Sequence, residues 1–210
     1  KEILENNKYS NYISRNKNFK EIANNYISND QNVSLSMIGV KNDDPTITKL
    51  LIFDNKKPVG YLNENEAETY SILTNNNPNV IIKHECEKDK YITVKVYKSN
   101  SKYRLYKNNF YIDLNMDGEI VENNCDIDLD DINEYKKITK NITNDFNNDL
   151  NNFLDKTKNL NSDLLGINKK YYNKYRKRKK DYFMNTSYKN NVKLNLNKKG
   201  LIFEVKDYDR

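Results

Sequence analysis

The chain has 210 residues, a net charge of +6, 31% charged and 36% apolar residues, and Asn is its commonest residue. No apolar run reaches the roughly 20 residues a membrane helix needs, and the 17 Tyr and 7 Phe set in periodic patterns argue against a disordered chain of the same polarity. That length suits one large domain, or one domain and part of a second. The 36 basic and 30 acidic residues are mostly interleaved, which reads as a solvated mixed surface rather than as a nucleic-acid footprint.

Residues 1–16 are weakly patterned. Phe19, Ile22, Ala23 and Tyr26 fall at helical spacing, and Asn29 with Asp30 closes that helix. Val33, Leu35, Met37 and Val40 alternate as in a strand. Asn42-Asp43-Asp44-Pro45 is a turn or linker. The main boundary is placed there: residues 1–44 are predicted to be the tail of a preceding domain and 45–210 the main domain. Apolar residues 47–53, a polar turn and Pro58-Val59-Gly60-Tyr61-Leu62 predict a hairpin. Asn63 is suited to cap a helix through Glu66, Ala67, Tyr70 and Leu73. Short strands are predicted at 80–84, 91–97, 102–106 and 110–114, with 119–122 continuing after a turn at Asp117-Gly118.

Ile132, Tyr135, Ile138, Ile142, Phe146, Leu150, Phe153 and Leu154 then step by three or four residues, the strongest periodic signal in the chain. It predicts a long amphipathic helix, with Asp128 or Asp130 suited to cap its start. Each side chain buried on that stripe contributes about 1.5–3 kcal/mol, so packing on the sheet holds the helix more than propensity does. Asp163-Leu164-Leu165-Gly166 interrupts the pattern. A second helix is predicted through Ile167, Tyr171, Tyr172, Tyr175, Tyr182 and Phe183, followed by strands at 192–196 and 201–205. The fold class is α+β: a mostly antiparallel β-sheet packed against one long amphipathic helix and a second basic, Tyr-rich helix.

Few residues carry chemistry. Asp113-x-Asn115-x-Asp117-Gly118-x-Ile120 is similar to the start of a calcium loop, but Asn124 stands where a bidentate Glu is needed and the flanks read as strands. A hairpin tip at Asp117-Gly118 explains the same residues. His84, the single histidine, lies two residues from Cys86, yet nothing supplies an oxyanion hole, so no enzyme is expected. Asp126, Asp128, Asp130 and Asp131 are read as a helix start rather than a cation site. Cys86 and Cys125 lack zinc-site spacing, and whether they pair is left open. No Gly-rich phosphate loop exists, and no cofactor is expected. Lys174, Arg176, Lys177, Arg178, Lys179 and Lys180, among tyrosines, form the sharpest charge run. It is a candidate partner or membrane face, with nucleic-acid or anion binding as the alternative. The chain opens on Lys1 with neither Met nor a secretory leader, and is expected to be a trimmed piece of a longer protein.

Four collinear stretches resemble the C subunit of spore germinant receptors, the Ger(x)C lipoprotein family. They are Leu51-Ile52-Phe53-Asp54-Asn55-Lys56-Lys57-Pro58-Val59-Gly60-Tyr61-Leu62; Gly118-Glu119-Ile120-Val121-Glu122; the long helix followed by Asp163-Leu164-Leu165-Gly166 and Tyr171-Tyr172-Asn173-Lys174-Tyr175; and residues 192–196 with Gly200. The resemblance covers about 45–205, that family's C-terminal domain. The Trp that the family often carries in the second helix is missing, and Tyr182 or Phe183 is expected in its place.

The resemblance implies a lipoprotein subunit, anchored through an N-terminal Cys outside this sequence, on the outer face of the spore inner membrane. It implies assembly with integral membrane A and B subunits into a receptor that starts germination in response to nutrients. No nucleic acid is expected as a partner, and direct nutrient capture is a weaker version of the same reading. The family offers no catalytic residues to carry over. Gly60, Asp163, Gly166 and Gly200 correspond to its structural signature positions, with turns, a helix cap and a helix break as their expected work.

Overall fold

Asn63 begins the first helix as its side chain dictates. Its amide oxygen accepts the Glu66 N–H at 3.0 Å while the Glu66 carboxylate accepts the Asn63 N–H at 2.7 Å, a reciprocal capping box that starts α1 (Glu64–Thr74). The computed structural model describes residues 32–41, 44–54, 57–75, 77–177 and 182–197. The helix predicted at 19–26, the strand predicted at 201–205, Gly200 and residues 178–180 lie outside the described residues.

The strands form two sheets. β1 (Val33–Lys41), β2 (Asp44–Asp54) and β3 (Lys57–Leu62) make an antiparallel sheet in chain order. Its inner face buries Leu50, Ile52 and Leu62, and across its outer face Leu35, Leu51 and Tyr61 fall in one row. β4 (Val80–Glu87), β5 (Lys90–Tyr106), β6 (Asn109–Asn123) and β7 (Ser187–Asn197) form the second sheet, again in chain order. Its first two pairs are antiparallel and β6–β7 is parallel. The parallel pair follows from connectivity, because three helices separate β6 from β7 and return the chain to run alongside.

α2 (Ile132–Asn159) is the long amphipathic helix, and it buries Ile138, Ile142, Phe146, Leu150, Phe153 and Leu154. Ile132 lies at its exposed start, 63% accessible. Tyr135 reaches across to β7, its phenol donating to the Leu196 carbonyl at 2.6 Å. Lys156 ties α2 to α1 through Glu66 at 2.6 Å. α3 (Ile167–Tyr175) and the single-turn α4 (Tyr182–Asn185) complete the helices described.

Four local expectations are corrected. Asp117-Gly118 is no turn: it lies inside β6, where Gly118 pairs with Val96 and Asp117 with Lys98, leaving Tyr97 as a bulge on β5. A Cβ on Gly118 would stand 3.0 Å from Val94 Cγ1 and 3.2 Å from the Lys95 carbonyl oxygen, so this glycine serves close strand approach, the other common meaning of Gly in a strand. The strands predicted at 91–97 and 102–106 are one element, because Ser99 is buried and its hydroxyl reaches the carbonyls of Ile72 and Asn75 at the end of α1. Asp131, rather than Asp128 or Asp130, caps α2, accepting the N–H groups of Asn133 and Glu134; Asp128 accepts from Asp130 N–H instead. The second predicted helix is two helices, since Arg176 takes a left-handed conformation (φ 54°) and ends α3.

Candidate protein-interaction face

The described part of the basic run does not lie on one continuous helix. α3 stops at Tyr175, and only its last residues and Arg176 and Lys177 belong to the described part of the run. Lys174 turns back toward the sheet and donates through Nζ to the Leu105 carbonyl on β5. Arg176 and Lys177 are exposed.

That inward turn of Lys174 builds one wall of an open cleft of about 910 Å³ between α3 and the end of β5 and β6. Its lining includes Tyr103, Arg104, Tyr106, Tyr111, Lys170 and Lys174. The tip that forms the other wall is fixed from behind. Lys107 makes the turn at φ 53°, the Tyr182 phenol donates to its carbonyl at 3.1 Å, and the Thr186 hydroxyl donates to the Asn108 carbonyl at 2.8 Å. Tyr182 and Phe183 are both buried, and the Tyr171 ring lies 4.1 Å from that of Tyr182.

Each cation of the cleft has a set position. Arg104 contacts Asp113 through Nε and Nη2, both at 2.8 Å, and lies 5.4 Å from the Tyr111 ring centroid. Lys170 donates to the Leu165 carbonyl at 2.8 Å and stands 4.9 Å over the Tyr103 ring. Burial pulls the Lys170 pKa down, against the attraction of Asp163. Burial pushes the Tyr103 phenol up to about 12, and that phenol donates to the Leu73 carbonyl.

Asp163 organises the start of α3. Its carboxylate accepts the N–H groups of Ile167 at 2.7 Å and Asn168 at 2.8 Å, while its carbonyl accepts the Asn32 N–H at 3.3 Å. Burial raises its pKa against those hydrogen bonds. Gly166 holds φ 63°, where any side chain would be strained. Gly60 lies under the end of α2, and a Cβ there would come within 2.9 Å of both Leu160 methyls.

The remaining sequence candidates have structural surroundings. Cys86 and Cys125 are joined by a disulfide, so Cys86 offers no thiol beside His84. His84 is buried on β4 and contacts Asp145 of α2 through Nδ1 at 2.5 Å. Among the described residues, no group of His, Cys, Asp and Glu is arranged to hold a metal ion. Among them, too, no helix is long and apolar enough to cross a membrane.

Sequence reasoning found Lys174 and missed Arg104, Tyr106, Tyr111 and Lys170. Alternation in Tyr103-Arg104-Leu105-Tyr106 was the available signal, since it sends Arg104 and Tyr106 away from buried Leu105. That α3 closes over this strand end is a tertiary fact with no local mark.

Residues 48–200 match the family described as spore germination B3/GerAC like, C-terminal. The chain belongs to this family. The crystal structure of the GerBC protein is similar in fold, with a TM-score of 0.68 at 15% identity over 88% of this chain. The chain spans 62% of that protein's length. A comparison with curated proteins found no match.

Proposed function

We propose that this domain is a non-catalytic subunit of a nutrient germinant receptor, working by protein–protein assembly at the outer face of the spore inner membrane. The observation that carries this reading is the family match over residues 48–200. The disulfide between Cys86 and Cys125 supports it independently, because such bonds persist on the oxidising side of a membrane. The partners are the integral membrane A and B subunits, and a lipid anchor lies outside this sequence. Residues 1–44 are the tail of a preceding domain, whose β1 pairs with β2 in one sheet. Gly60, Asp163 and Gly166 act as structural positions, and Arg176 and Lys177 lie on the face turned to a partner or the membrane.

The test is germination of spores lacking this gene, scored with nutrient mixtures and with a trigger that bypasses receptors. Loss of the nutrient response with an intact bypass is the expected result. Intact responses to both, in a strain without a second receptor, would refute the proposal. The alternative, nucleic-acid or anion binding by Lys174 to Lys180, has less support, since α3 reaches only Tyr175 and residues 178–180 lie outside the described residues.

A further inference from the structure

We propose that the cleft between α3 and the β5–β6 tip docks an acidic segment of a partner protein, with an aromatic or aliphatic side chain seated between its tyrosines. This rests on the assembly reading above and names the chemistry of the partner. Three cationic residues, Arg104, Lys170 and Lys174, line the cleft, and none of its lining residues is a carboxylate. Asp113 pairs with Arg104 from the neighbouring strand, but the two ammonium groups are met by the neutral carbonyls of Leu165 and Leu105. An ammonium has three donors, so both lysines retain hydrogens for an incoming carboxylate. The nearby carboxylate of Asp163 is engaged by two backbone N–H groups of α3. A partner carboxylate thus meets cations already held in place, and the ordering cost that weakens most surface ion pairs is reduced.

The walls favour a peptide over other anions. Tyr106 is 60% exposed and Tyr111 stands in the same lining, giving ring faces of the kind that anchor interfaces. Lys170 is partly buried in the cleft lining, a position less open to a flat headgroup layer than an exposed lysine. A nucleic-acid strand asks for cations spread along a track, whereas these three line one cleft. At about 910 Å³, the cleft has room for several residues rather than one small carboxylate.

The probe is a labelled glutamate–tyrosine copolymer, compared with polyglutamate, phosphatidylglycerol vesicles and single-stranded DNA. The chain binds the copolymer best. The double variant Arg104→Glu, Tyr106→Ala weakens that binding about tenfold, and Lys136→Glu, an equal charge change class on exposed α2, leaves it within about twofold. Tyr106→Glu alone is the second variant, since its exposed site makes folding independent of the change. Equal losses in the cleft and α2 variants, or tighter cleft-dependent binding to vesicles or DNA, would overturn the proposal. A second arm isolates the tagged full-length protein from spore membranes. Failure of the parent to bring down the membrane subunits counts against the assembly reading, while the copolymer result still decides the cleft. Retention of those subunits by both parent and double variant overturns the cleft as the docking site and leaves assembly standing.

Discussion

Glu68 is a side chain whose surroundings tie the stability of this fold to pH. It lies on α1 one turn after Glu64, and it faces Asp149 of α2 and Lys83 of β4; burial, then the two acidic neighbours, push its pKa from 4.5 to about 8, with Lys83 opposing. The folded chain therefore keeps a proton on Glu68 over a range in which the unfolded chain has lost it. Where the unfolded state binds fewer protons, stability falls as pH rises. This contribution is intact below about 4.5, declines by up to ~1.4 kcal/mol per pH unit, and levels off above about 8. Glu68→Gln keeps the shape and removes the proton. Urea midpoints across that window are expected to show the variant gaining on the parent as pH rises; a constant gap would mean that Glu68 ionises freely in the fold. The sequence showed Asn63 as a cap and gave no hint of Glu68, because the first is a local hydrogen bond and the second depends on what α2 and β4 bring near it. Asp131 is a milder case of the same kind: the helix start was readable from its run of aspartates, and the choice among them was set by which carboxylate lies beside the N–H groups of Asn133 and Glu134.

Among the elements, α2 is the one whose burial can be tested position by position. Its apolar stripe was legible because a period near 3.6 depends only on the helix and on having one side covered. Where the stripe stops being covered was not legible, and Ile132 shows it: it keeps the spacing yet stays 63% exposed, while Phe153 is fully buried. Phe153 also stacks against Tyr70 of α1, with ring centroids 5.9 Å apart. Phe153→Ala should therefore cost about 3–5 kcal/mol, and Ile132→Ala less than about 0.5 kcal/mol, read as shifts in the denaturant midpoint at unchanged slope. Similar losses at both would mean that something covers the start of α2. The strands carried a weaker local signal. Asp117-Gly118 has the composition of a hairpin tip, and only the pairing partner at Val96 shows that the glycine admits a close strand instead.

At the scale of the whole molecule, distant segments are joined by a bond that neither segment announces. Cys86 on β4 and Cys125 beyond β6 are separated by 39 residues, and β5 lies between their strands in the sheet. Sequence left their pairing open because strand order, which brings them together, is a property of the folded sheet. Closing a loop of that length removes unfolded-state entropy worth about 4 kcal/mol on the chain model. The folded side matters as well. β4 is an edge of its sheet, with β5 as its one strand neighbour among the described residues, so the disulfide fastens an edge strand. Reduction, or the double variant Cys86→Ser, Cys125→Ser, should lower stability by about 3–4 kcal/mol. Amide exchange separates the two effects. If the bond only restricts the unfolded chain, every protected amide loses protection by the same free energy. If it also pins the edge, β4 amides exchange ahead of those in β5 and β6, through local opening that leaves the centre of the sheet closed. The second pattern is expected, because the β5–β6 pairing spans fourteen residue pairs from Ile92↔Asn123 to Tyr106↔Asn109, against seven for β4–β5 from Val80↔Val96 to Glu87↔Lys90.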